Sequence, residues 1–123
     1  MILMVVDGQG GGIGATVIRR LREVFGHGLT IYALGTNSVA TSRMMKAGAN
    51  KGATGENAIV RTAPRVDGII GPLAVIMPNA MMGELTPAMA EAIGTSDAAK
   101  ILIPLTQENI TVVGVQGEPL PHL

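Results

Sequence analysis

Chemistry in this sequence concentrates in one segment, Asp7-Gly8-Gln9-Gly10-Gly11-Gly12-Ile13-Gly14. Glycines leave the backbone free to turn tightly, and they let a phosphate approach the amide N–H groups at the start of a helix. Gly10-x-Gly12-x-x-Ala15 satisfies the dinucleotide fingerprint with its permitted Ala ending. Gly8-x-x-x-Gly12-Ile13-Gly14 also has the glycine spacing of short-chain dehydrogenases. The plainer alternative is a turn that serves only to pack a strand against a helix. Asp7 has two readings as well. Its carboxylate could hold a magnesium ion, or it could accept hydrogen bonds from the amides of its own loop.

Further candidates follow other apolar runs. Thr36, Asn37 and Ser38 offer contacts for the second end of a ligand, and with Arg43 they could hold a second phosphate, as in an NADP site. Glu56 and Asn57 read first as helix caps and second as ligand contacts. Gly71 ends an apolar run. Asn79 sits inside an apolar segment, as a buried hydrogen-bonding residue or a ligand contact. Glu84 reads as a solvated loop acid.

Several chemistries are excluded or lack support. The chain has no cysteine, so thiolate nucleophiles and iron–sulfur clusters are out. His27 and His122 are far apart with no supporting ligand spacing, so no metal site is predicted. No Ser-His-Asp arrangement can be argued. A dehydrogenase reading meets Asp7 where that family has Thr, and Gly35-Thr36-Asn37 where an acid should bind the ribose. It also meets Tyr32 followed four residues on by Thr36 rather than Lys.

These groups need strands and helices to position them. Ile2 to Val6 reads as a buried parallel strand, followed by the glycine loop. Ile13, Val17, Leu21 and Val24 then mark the apolar face of a helix closed by Gly26 and Gly28. Leu29 to Leu34 is a second strand and Val39 to Ala47 a helix ended by Gly48. Asn50 to Thr54 is a short third strand, before a helix from Asn57 to Ala63 that Pro64 stops. A rival reading makes Ala58 to Thr62 the third strand. Asp67 to Gly71 is a fourth strand, and Leu73 to Met82 reads as helical around Pro78. Thr86-Pro87 starts a helix to Ile93, with Thr as cap and Pro in the first position. Lys100 to Leu105 and Ile110 to Val115 read as fifth and sixth strands. The tail Glu118 to Leu123 is extended, because its two prolines forbid helix.

Alternating strands and helices predict an α/β fold. It is a single three-layer Rossmann-like (flavodoxin-like) sandwich over residues 1–123, with a mainly parallel five- or six-stranded sheet. Strand order stays open between 3-2-1-4-5 and 2-1-3-4-5. In such sheets ligands bind beyond the carboxyl ends of the strands, where the small and polar residues of this sequence gather.

Composition narrows the partners. Nine basic and nine acidic residues give a formal net charge of zero, and Phe25 and Tyr32 are the only aromatics. That argues against nucleic acid as a partner. The longest apolar stretch, Gly68 to Met77, is too short to span a bilayer, and the N-terminus has no basic region of a signal peptide. A cytoplasmic protein with no membrane partner is expected. Charged residues make up only 15% of a small chain that carries eight methionines. Surplus apolar surface of this kind predicts a homo-oligomer.

The opening Asp7-to-Gly14 segment resembles a family of short bacterial proteins from anaerobic Firmicutes, described as a domain of unknown function. So do Ala33-Leu34-Gly35-Thr36-Asn37-Ser38, Gly52-Ala53-Thr54-Gly55-Glu56-Asn57-Ala58, Gly83-Glu84-Leu85-Thr86-Pro87 and the closing Glu118-Pro119-Leu120-Pro121-His122-Leu123. The resemblance spans essentially the whole chain and implies a bacterial cytoplasmic protein, but no activity. A second likeness runs from Gly71 to Leu105. Gly71-Pro72, Pro78-Asn79, Ala90-Glu91-Ala92-Ile93 and Lys100-Ile101 look like a stretch of the 2-phospholactate transferase superfamily. It implies a phosphorylated ligand and does not carry over a transferase activity.

The sequence thus predicts binding of a nucleotide or other phosphorylated small ligand by Asp7, Gly8, Gly10, Gly11, Gly12, Ile13 and Gly14. Thr36, Asn37, Ser38, Glu56, Asn57, Gly71 and Asn79 would assist. The cofactor is unassigned, with NADP or another nucleotide in view. One alternative is an NADP-dependent reductase or group transferase on the same site. Another is a structural or regulatory homo-oligomer with a vestigial site.

Overall fold

A strand with apolar side chains on both faces must lie in a sheet covered on both sides. Ile2 to Val6 is such a strand. The computed structural model describes residues 1–105 and 108–115. It runs β1 (Ile2–Asp7), α1 (Gly12–Phe25), β2 (Thr30–Gly35), α2 (Ser38–Lys46), β3 (Lys51–Thr54), α3 (Glu56–Thr62), β4 (Gly68–Pro72), α4 (Pro87–Thr95) and β5 (Ala99–Ile103). All five strands pair in parallel, in the order β3-β2-β1-β4-β5. This fixes the strand order as 3-2-1-4-5, with β1 central and the reversal in winding between β1 and β4.

Successive side chains of a strand point to opposite faces. Val5, Ile31, Ala33 and Ile70 pack under Ile18 of α1 and Ala40 and Met44 of α2. Met4, Val6, Leu34 and Ile69 pack on the other side, with Ile59, Leu85, Met89 and Ile93. The result is a Rossmann-like three-layer sandwich. Thr86 caps α4 by accepting the Met89 N–H at 3.2 Å, with Pro87 beginning the helix.

Three expectations are corrected. In α1 the fully buried positions are Gly14, Ala15 and Ile18, while Val24 is 58% exposed. Small residues at 14 and 15 let the helix come close to the sheet, and this turns its inner face away from Val24. Leu73 to Met82 is not an α-helix. A 3-10 turn at Leu73–Ile76 gives way to consecutive turns, with Asn79, Met81 and Met82 at φ of 67, 58 and 56°. Pro78 has no N–H to continue a helix, and the turns bring Leu85 fully into the core. Ile110 to Val115 forms no strand, and Val113 is 94% exposed. The tail Glu118 to Leu123 lies outside the described residues.

Arg22 is not the solvated helix residue its neighbours suggest. Its guanidinium donates to the carbonyls of Gly26, Leu29 and Gly48 at 2.8–3.0 Å and to Asn50 Oδ1 at 2.7 Å. Asn50 Oδ1 also accepts the Ile31 N–H at 2.7 Å. One cation at the carboxyl end of α1 therefore ties α1, β2 and the turn before β3 together, where the helix dipole favours positive charge.

Candidate functional site

The apolar run of β1 ends at Asp7, whose carboxylate is 4% exposed. Its Oδ1 accepts the Gly8 N–H at 2.8 Å and its Oδ2 accepts the Gly14 N–H at 2.7 Å. Gly14 is the third residue of α1, so Asp7 does what an N-cap side chain does, from seven residues away. The cap position itself is Gly11, at φ 74° and with no side chain to offer. Burial pushes the Asp7 carboxyl above its usual range, and hydrogen bonds from Gly14, Gly8 and Ile13 together with the Arg43 charge offset part of that rise.

The loop's glycines divide into two kinds. Gly8, Gly11 and Gly14 have neighbours where a side chain would begin. A Cβ at Gly11 would lie 2.7 Å from the Ala40 Cα, in the backbone of α2. A Cβ at Gly14 would strike the Met44 thioether and sit 3.0 Å from the Asp7 Cβ. At Gly8 it would meet Met81 and lie 2.6 Å from Thr36 Oγ1. Gly10 and Gly12 differ. Neither has a positive φ, and the nearest atoms to their missing side chains belong to the Arg43 guanidinium, at 3.8 and 3.4 Å. Arg43 Nη1 lies over the loop, 3.4 Å from the Gly10 carbonyl. The N–H groups of Gly10 and Gly12 make no hydrogen bond among the described residues.

Glu84 is not the solvated loop acid that the sequence predicts. Its Oε1 accepts from the Gln9 N–H at 2.8 Å, the Thr36 hydroxyl at 2.7 Å and the Asn37 amide at 2.8 Å. Burial raises this carboxyl, but the bonds from Gln9, Thr36 and Asn37 outweigh it and hold the pKa below the usual value. Asn37 also caps α2 through the Ala40 N–H and donates to the Gln9 carbonyl at 2.9 Å. Thr36 and Asn37 are therefore brought to the loop, with Glu84 as the link.

The remaining candidates are placed differently. Ser38 is exposed at the start of α2, in an open groove with Ser42, Arg43 and Lys46. Glu56 does not cap α3, which begins after Gly55 at φ 97°. It accepts the Thr86 hydroxyl at 2.6 Å instead. Asn57 is exposed on α3. Gly71 is buried in β4, where a Cβ would run into the Val6 carbonyl, so β1–β4 packing accounts for its lack of a side chain. Asn79 is exposed at a left-handed turn rather than buried, its N–H on the Leu85 carbonyl at 2.8 Å.

Beside the loop, at the switch between β1 and β4, lies a cavity of about 460 Å³. Asp7, Gln9, Ile13, Pro72, Ala74 and Met81 are among its walls. Its position beyond the carboxyl ends of the strands is where open α/β sheets bind ligands. No group of three or more His, Asp or Glu side chains gathers for a metal ion among the described residues, and no helix there is long and apolar enough to cross a membrane.

The chain belongs to the family described as Domain of unknown function (DUF3842), which it matches over residues 2–123. No curated protein and no solved structure matches it.

Proposed function

We propose that this member of the family binds a nucleotide or another phosphorylated small molecule at the loop of residues 8–14. The observation that carries the reading is the pair Gly10 and Gly12. The fold explains the other three glycines of the loop by packing, but it gives these two no neighbour other than a flexible arginine. A missing side chain that the protein itself does not need leaves room for a ligand to approach the backbone. The ligand's phosphate takes the N–H groups of Gly10 and Gly12, with Arg43 as its countercharge. The Asp7 carboxylate is turned onto the Gly8 and Gly14 N–H groups, which offset part of the repulsion it would exert on a phosphate. The adjoining cavity, walled by Pro72, Ala74 and Met81, accepts the less polar part of the ligand.

Gly12→Val tests the reading. Its Cβ meets only the Arg43 side chain, so the variant is expected to fold, which circular dichroism checks. It is expected to lose about 100-fold or more in affinity for inorganic pyrophosphate or a nucleotide, through the lost charge-assisted bonds and the blocked approach. Unchanged affinity in calorimetric titration would remove the loop from consideration.

A second observation favours self-association. Ile101 of β5 is paired with Ile70, on the face that α1 and α2 cover elsewhere, yet it is 61% exposed. β5 is also an edge strand, and an uncovered apolar edge invites pairing. We read it as the contact with a second copy. Light scattering is expected to give a mass above that of one chain for the wild type and the single-chain mass for Ile101→Lys. A single-chain mass for the wild type contradicts this.

A further inference from the structure

The sequence has no acid at the end of β2, where open α/β sheets hold the hydroxyls of a ribose. The fold supplies one from elsewhere. Glu84 belongs to the connection between β4 and α4, yet its Oε1 lies 2.7 Å from Thr36, the residue that follows β2. The same oxygen takes the Gln9 N–H from the glycine loop and the Asn37 amide from the cap of α2. Three donors on one oxygen fix the side chain and favour its ionised form. The other oxygen, Oε2, makes no hydrogen bond among the described residues. A half-buried carboxylate, fixed through Oε1 to both the glycine loop and the residues after β2, thus keeps one acceptor unused.

The backbone that delivers it is strained. Asn79, Met81 and Met82 all hold positive φ within six residues of Glu84, a conformation that L side chains rarely adopt. Such geometry persists where the surroundings over-determine it, and here the chain spends it on placing this carboxylate and Leu85. An open anionic acceptor beside a phosphate site suits a neutral hydroxyl donor and repels a second phosphate.

We infer that Glu84 recognises the ribose hydroxyls of a ribonucleotide through Oε2 and discriminates against a 2′-phosphate. The inference rests on the proposed ligand site at the glycine loop. It sets the ligand class as a ribonucleotide with a free 2′-hydroxyl, and so turns the site away from NADP.

The test is calorimetric titration with the four ribonucleoside 5′-diphosphates, their 2′-deoxy counterparts and inorganic pyrophosphate. The wild type is expected to bind at least one ribonucleotide about tenfold or more tightly than its deoxy form, the range of a hydrogen bond to a charged group. Glu84→Gln keeps an oxygen for Gln9, Thr36 and Asn37 and replaces the open acceptor with an amide donor. It is expected to erase the ribose preference, with circular dichroism confirming the fold. Equal affinity for ribo and deoxy forms, both lost in Gly12→Val, overturns the role of Glu84 and leaves the loop site standing. A ribose preference that survives Glu84→Gln overturns it too, as does binding of pyrophosphate but of no nucleotide. Failure of every nucleotide and of pyrophosphate to bind overturns both readings.

Discussion

A methyl group added at Gly11 is expected to cost about 3 kcal/mol of folding stability, while the same methyl at Gly10 or Gly12 costs less than about 1 kcal/mol. Two penalties add at Gly11. Its φ of 74° is left-handed, which alanine adopts only at a cost, and its Cβ would sit 2.7 Å from the Ala40 Cα. That atom belongs to the backbone of α2, so relief requires the helix to move, and Ala40 and Met44 would leave their places over Val5 and Ile31. Gly10 and Gly12 face only the end of the Arg43 side chain, which can swing aside. Gly12 is the first residue of α1, where alanine is the better helix former. Urea denaturation of the three alanine variants checks the ordering. Equal losses at all three positions would mean that the loop is a packing device throughout.

Glu84→Ala is expected to lower stability by roughly 2 kcal/mol near neutral pH, because the Gln9, Thr36 and Asn37 donors lose a shared charged acceptor. Glu84→Gln should recover more than half of that. The effect depends on pH with a definite sign. The folded pKa of Glu84 lies below its usual value, so its contribution is present above the unfolded pKa of about 4.3 and is lost as the pH falls through the folded value. Asp7 works the other way. Its folded pKa is raised, so ionising it weakens the fold as the pH climbs from about 3.9, the unfolded value, through the folded one. Denaturation curves at pH 7 and pH 3.5 separate the two. The gap between wild type and Glu84→Ala should narrow in acid, and a gap that widens there would contradict the geometry around Oε1.

The alternation of elements was readable because each buried strand is an apolar run closed by Gly or Asp, as at Asp7 and Gly35, and each of these runs is local. The turns of residues 78–85 were not readable. Leu73 to Met77 has the composition of a buried helix, and the left-handed Met81 and Met82 go with tertiary contacts, buried Leu85 and the hydrogen-bonded Glu84, that no local pattern shows. Ile110 to Val115 has strand-like residues but pairs with neither edge of the sheet, and residue type alone does not tell a paired strand from an unpaired segment. The large apolar side chains of α1 do not mark its innermost face, because Gly14 and Ala15 are inside by virtue of being small.

The glycine loop itself was legible from spacing and context. Its division into packing glycines and open glycines was not, since Ala40, Met44 and Met81 are remote in sequence. The two tying residues were invisible for the same reason. Glu84 bonds to partners 47, 48 and 75 positions away, and Arg22 reaches 26 and 28 positions to Gly48 and Asn50. No local pattern signals such a contact.

The most direct test of the central claim is native mass spectrometry of the wild type and Gly12→Val, purified from cells without heat or denaturant. Denaturing release would then identify any retained small molecule. A phosphorylated compound bound to the wild type and missing from a folded Gly12→Val protein is the expected result. The same compound retained equally by both proteins, or a wild type that is empty and shows no thermal shift with nucleotides or pyrophosphate, would contradict the claim that residues 8–14 form a ligand site.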